Sequence, residues 1–199
     1  MSRKTYLESL SERVLVFDGA MGTSVQKYNL TPQEFGGPQL EGCNDYLAVV
    51  NPRVIEEIHA SFMEAGADVL ETATFGSTRP KLDEYGIGEE VYHQNFSAAQ
   101  LARRVADSYS SPSRPRYVAG SMGPTGFLPS ADDPTLSKVT YQQLKAVYKE
   151  QARPLVEGGV DLLIIETAQD ILELKAAING AIEYFRESGR SVPIQAQVT

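Results

Sequence analysis

The chain has 199 residues, 42% of them hydrophobic, which is enough for one sizeable core and too few for two ordinary domains. Its 26 acidic against 18 basic residues give a net charge of −8, which argues against a nucleic-acid backbone or an anionic membrane as main partner. A single cysteine, Cys43, excludes an internal disulfide and a cysteine-rich metal site built by this chain alone. The charged N-terminus has no apolar signal core and no spanning stretch follows, so the sequence predicts a cytoplasmic protein whose partner is a small molecule or another protein.

In chain order, residues 5–13 read as a short amphipathic helix. Val14 to Phe17 follow with the length and β-branched character of a buried strand, which stops at Asp18 and Gly19. An ionised aspartate just past a buried strand is costly unless something pairs with it, and glycine lets backbone N–H groups approach a ligand closely. The polar stretch after Thr23, with Gly36-Gly37-Pro38 and Gly42, reads as an extended loop; Cys43 inside it reads as an ordinary thiol. Asn51 is a plausible N-cap and Pro52 opens a helix, in which Val54, Ile55, Ile58, Phe62 and Ala65 recur at helical spacing until Gly66. His59, beside that stripe, reads as a helix-surface or packing residue rather than a ligand.

Ala67 to Phe75 is a second strand that brings an acid, Glu71, and the hydroxyls of Thr72 and Thr74 to its end. A helix over Glu89–Tyr109 comes next, with His93 exposed on its first turn, and Ser110–Pro115 connects it to the third strand. That strand, Tyr117–Gly120, runs into the glycine-rich turn Ser121–Gly126. Thr140 caps a helix from Tyr141 to Glu157, which Pro154 should bend or end early. The fourth strand, Val160–Thr167, ends in the carboxylate of Glu166. A helix over Ile171–Ser188 is expected to pack Leu172, Leu174, Ala177, Ile178, Ile182 and Phe185, and a fifth strand begins near Val192.

The unit of strand, long loop, helix and short return repeats every roughly forty to fifty residues, which implies parallel strands in an α/β fold. An open doubly wound sheet and a (β/α)8 barrel both fit this pattern. The open sheet keeps its ligand at one switch point, whereas a barrel gathers polar groups from many strand ends. Asp18, Thr72, Gly123 and Glu166 lie at the ends of four different strands, which favours a barrel, with only its first five βα units present in residues 1–199.

Phe17-Asp18-Gly19-Ala20-Met21-Gly22-Thr23, Glu71-Thr72-Ala73-Thr74-Phe75, Gly120-Ser121-Met122-Gly123-Pro124-Thr125-Gly126 and Ile165-Glu166-Thr167, in this order, resemble successive strand ends of the homocysteine S-methyltransferase family. They are most similar to the N-terminal homocysteine-binding domain of its cobalamin-dependent members. The resemblance implies transfer of a methyl group, from methylcobalamin in those members, to zinc-bound homocysteine to give methionine. Asp18 and Glu166 would hold the substrate ammonium, the Gly19 backbone and Thr72 its carboxylate, with Thr74 and Gly123 as further site residues.

The family's three zinc cysteines would lie beyond Thr199, and Cys43 matches none of them. The chain alone is therefore expected to bind no zinc and to be inactive, with downstream folate- and cobalamin-binding modules, or a barrel-completing chain, as partners. A Schiff-base aldolase or lyase is disfavoured because no strand end carries a lysine; Lys81 and Lys138 lie well along their loops. A non-catalytic amino-acid-binding or interaction module, or half of a split barrel, stands as the other reading.

Overall fold

The computed structural model describes residues 3–199. Four parallel strands, β1 (Val69–Glu71), β2 (Tyr117–Met122), β3 (Leu162–Ala168) and β4 (Ile194–Val198), pair in chain order. The helices are α1 (Tyr6–Glu12), α2 (Met21–Gln26), α3 (Leu47–Val50), α4 (Pro52–Ala65), α5 (Arg79–Asp83), α6 (Val91–Ser108), α7 (Tyr141–Glu157) and α8 (Ile171–Ser188). Alternation along each strand divides the core in two. Leu70, Val118, Met122, Leu163 and Ile165 pack beneath α4, α6, α7 and α8, while Val69, Tyr117, Ala119, Leu162 and Ile164 face the other way. There α1 closes one end: Tyr6 packs edge-on against Tyr117 at 5.7 Å, and Ser9 Oγ lies 2.6 Å from the Tyr117 hydroxyl.

The helices from the middle of the chain onward form where their signals lie. Thr140 and Gln143 make a reciprocal capping box at α7, and Gly66 ends α4 in a left-handed conformation at φ 105°. Asn51 does precede α4, but its side chain makes no capping hydrogen bond. Pro154 does not end α7 early; it sits in the last turn, and the Gly158 N–H still reaches the Pro154 carbonyl at 2.8 Å.

Three expectations need correction. Val14 to Phe17 do not form a buried strand: a single parallel bridge joins Phe17 to Val69, and Val14 and Val16 are 82% and 56% exposed. Only Leu15 and Phe17 face the core, because the segment is an edge with one neighbour and no helix covers its outer side. The stretch after Thr23 is not one loop but α2, two short 3-10 turns and α3, which bury Val25, Phe35, Leu40 and Leu47 against α4. As far as Leu40, its apolar residues are too widely spaced to show a period.

The third correction concerns α8, which buries Glu173, Ala176, Ala177, Gly180, Ala181 and Tyr184, whereas Leu172 is exposed and Leu174, Ile178 and Phe185 are only partly covered. Small residues line that face because α7 comes very close. A Cβ on Gly180 would lie 2.5 Å from the Lys145 carbonyl oxygen and 2.8 Å from the Lys149 nitrogen. Both are backbone atoms, so Gly180→Ala is expected to force the helices apart and cost about 1–3 kcal/mol. An unchanged thermal midpoint would show that α7 and α8 separate without penalty.

Candidate active site

The strand ends converge on a cavity of about 440 Å³. Asp18 and Gly19 reach it from the first extended segment, Thr72 and Thr74 from the end of β1, and Glu166 from β3. Glu71, Asp45 and Ser121 line it as well. Gly123 is not in its wall. It packs on Phe75, whose carbonyl accepts the Gly123 N–H at 3.0 Å, and a Cβ there would come within 2.6 Å of that oxygen. Glycine at 123 is thus required by close approach of two loops.

Carboxylates dominate this wall. The Asp18 side chain is 2% exposed; its Oδ1 accepts the Glu71 N–H at 3.0 Å, and its Oδ2 lies 3.8 Å from Nδ1 of the fully buried His59. Neither ring nitrogen of His59 has a hydrogen-bond partner among the described residues. Ser121 donates to Glu166 Oε1 at 2.5 Å. Burial raises Glu166 above the usual carboxylate range, with Ser121 opposing and the Asp18 charge adding to the shift. Burial, then the charges of Glu166 and Asp18, push Glu71 up to about 8. Asp45 is raised too by burial, although Gly76 N–H and Ser77 Oγ donate to its Oδ2 at 2.5 and 3.4 Å. No lysine or arginine lines the cavity, so the site as built favours a cation.

The two threonines are already engaged. Thr74 donates to the Ser121 carbonyl at 2.7 Å, which leaves Thr72 to donate to Thr74 at 2.6 Å while accepting the Ser121 N–H at 3.0 Å. They tie β1 to β2 and form wall. The backbone bends sharply beside Glu166: Thr167 has φ +57°, and the pairing of β3 with β4 is irregular between Ile165 and Ala168. A β-branched residue in this region is held against its preference, and it sits next to the cavity's acid.

Sequence reasoning missed one of these residues outright, Asp45, and gave no site role to Glu71 or His59. Glu71 ends its strand as expected, and its place in the cavity follows because it lies two residues after Val69 on the same face of β1. Of the two readings of His59, helix surface or packing, the structure gives packing: four positions after Ile55, it shares that residue's buried face. Asp45 carries no local signal, because a loop folding back onto Gly76 puts it there. Cys43 is buried, and burial pushes its thiol up to about 11. His93, exposed, lies 3.0 Å from Glu90.

A family model described as homocysteine S-methyltransferase matches residues 15–199. Methionine synthase of Mycobacterium tuberculosis is 44% identical over 193 residues, covering 97% of this chain and 16% of that protein. Methionine synthase of Mycobacterium leprae is 42% identical over the same length, with 97% and 15% covered. The chain thus spans about a sixth of the length of these relatives. The crystal structure of the homocysteine methyltransferase MmuM from Escherichia coli, in its metallated form, superposes with a TM-score of 0.72 at 22% identity, over 94% of this chain and 64% of that one. Its oxidised form gives 0.73, again at 22% identity, over 96% and 64%. These structures show the likeness of fold, and the sequence matches show the kinship: the chain belongs to the homocysteine S-methyltransferase family.

Proposed function

We propose that this chain is the N-terminal part of a homocysteine-binding (β/α)8 barrel domain, its first five βα units, and that its cavity holds the amino-acid end of homocysteine for methylation to methionine. The carrying observation is the set of partly buried carboxylates around one cavity with no lysine or arginine in its wall. Asp18 and Glu166 receive the ammonium from two sides. The Gly19 N–H, which makes no hydrogen bond among the described residues, meets the substrate carboxylate, with Thr72 as the adjoining wall. Held at this end, the substrate presents its sulfur away from the acids.

The described residues do not fit a zinc ion. No three of their His, Cys, Asp and Glu side chains are grouped to hold a metal, and Cys43 is buried with a raised thiol. Family zinc, which keeps a bound thiol deprotonated, and methylcobalamin as donor are assigned to residues and modules outside this chain. Folate- and cobalamin-binding modules are the partners we expect, and the short span of this chain on its relatives supports that. No helix among the described residues is long and apolar enough to cross a membrane.

Calorimetry with L-homocysteine and L-methionine tests this reading. Both are expected to bind, and Glu166→Gln is expected to weaken each about tenfold, or about 1.4 kcal/mol. Absence of binding by either ligand would overturn it.

A further inference from the structure

Pairing the ammonium with Asp18 and Glu166 leaves a third acid of the cavity without a role. Glu71 closes β1 and shares the inner face with Val69, while Leu70 between them packs under the helices. Its backbone N–H donates to Asp18 Oδ1 at 3.0 Å, and its carboxylate lines the same cavity as Asp18 and Glu166 and feels the charge of both. No hydrogen-bond donor or cation meets the Glu71 carboxylate among the described residues.

Its surroundings can be named element by element. Asp18 faces it from the first extended segment and Glu166 from β3, and Asp45 lines the same cavity from its loop. From β2 comes Ser121, whose hydroxyl is committed to Glu166. From α4 comes His59, which stands behind Asp18, 3.8 Å from Oδ2. Several carboxylates packed this closely do not all ionise without a compensating cation.

We propose that Glu71 carries a proton in the empty cavity and releases it to solvent when the ammonium group of an amino acid enters, so that recognition exchanges one cation for another. The O–H bond of Glu71 breaks, its proton passes to the buffer, and the incoming ammonium neutralises the carboxylate left behind. The charge of the cavity is thereby nearly conserved. The raised Glu71, near 8 in the empty site, agrees with this. The sign follows: below that pH the empty site holds the proton, so affinity rises with pH, and it levels off once Glu71 is ionised without ligand. The inference rests on the amino-acid-binding reading above.

The probe is L-methionine, whose thioether, unlike a thiol, has no proton to release and whose ammonium enters the site charged; Glu71→Gln then tells a proton of Glu71 from any other. Binding enthalpy is measured at pH 7 in phosphate and in Tris, whose ionisation enthalpies differ widely. The expected slope against ionisation enthalpy corresponds to roughly one proton released per ligand. Glu71→Gln, which keeps the side-chain size, is expected to bind methionine with a slope near zero. A wild-type slope of zero with measurable binding would overturn the inference and leave the amino-acid reading standing. A wild-type slope that persists in Glu71→Gln would assign the proton to another acid and also overturn it. No binding in either buffer would remove the amino-acid reading and this inference together.

Discussion

Asp18→Asn is expected to weaken binding of homocysteine and methionine by more than a hundredfold, a loss of about 3 kcal/mol, while leaving the fold in place. The asparagine oxygen can still accept the Glu71 N–H that Asp18 Oδ1 accepts at 3.0 Å, so the local backbone keeps its tie. What disappears is the negative charge of a side chain only 2% exposed, where water cannot substitute for it. This loss should exceed that of Glu166→Gln, because Glu166 lies partly open to the cavity whereas the Asp18 side chain is almost fully enclosed. Calorimetry and a thermal melt on the same sample would check both halves. An affinity within threefold of wild type would mean that the ammonium is held elsewhere.

Asp68→Asn should have the largest effect on stability, about 3–5 kcal/mol, because it strips a buried charge of its partner. Asp68 precedes β1, and its carboxylate receives Arg13 in a two-pronged bond at 2.8 and 2.9 Å, Arg116 at 3.2 Å and the Val16 N–H at 3.1 Å. The Asp68 and Arg116 side chains are only 4% and 6% exposed, so the substitution leaves a guanidinium buried without its carboxylate. Burial alone would raise Asp68; the Arg13 fork, the Val16 N–H and the Arg116 charge outweigh it and hold the group below its usual range. A depressed carboxyl stabilises the fold above its unfolded-state pKa, and that contribution fades as pH falls through the folded value. Urea midpoints at neutral and acid pH would test this. The difference between wild type and Asp68→Asn should shrink on acidification, and a constant difference would count against the ion cluster.

The contrast between α7 and the first extended segment explains what the sequence could disclose. Tyr141–Glu157 was legible to the residue because a capping box, a helical apolar period and terminal glycines all act within a few positions. Val14–Phe17 carries an equally plain apolar run, yet burial of its outer face depends on a neighbour the run does not specify. In α8 the buried stripe of Ala176, Ala177, Gly180 and Ala181 was hidden behind larger aliphatic residues, since hydrophobicity ranks side chains by size whereas close helix packing selects them by smallness. For the site, Asp18 and Glu166 were readable as acids where strands stop. Asp45 depends on a contact 31 residues away in the chain and leaves no local trace.

Asp18, the acid proposed to meet the substrate ammonium, also belongs to a thinly secured part of the sheet. Around Asp18, the chain's backbone pairs with its neighbour only through the Val16 carbonyl, the Asp18 N–H and one bridge at Phe17, with side-chain ties at Asp18 and Asp68 besides, whereas β2 and β3 are paired over several residues on both sides. In hydrogen-exchange terms, the amide of Asp18 opens with the margin and those of Ser121 and Ile165 with the centre. A ligand that touches Asp18 and Glu166 together fastens the margin to the centre, and its binding energy appears as slowed exchange at the margin. The cavity so acts as a clasp between a loosely held margin and a firmly paired centre.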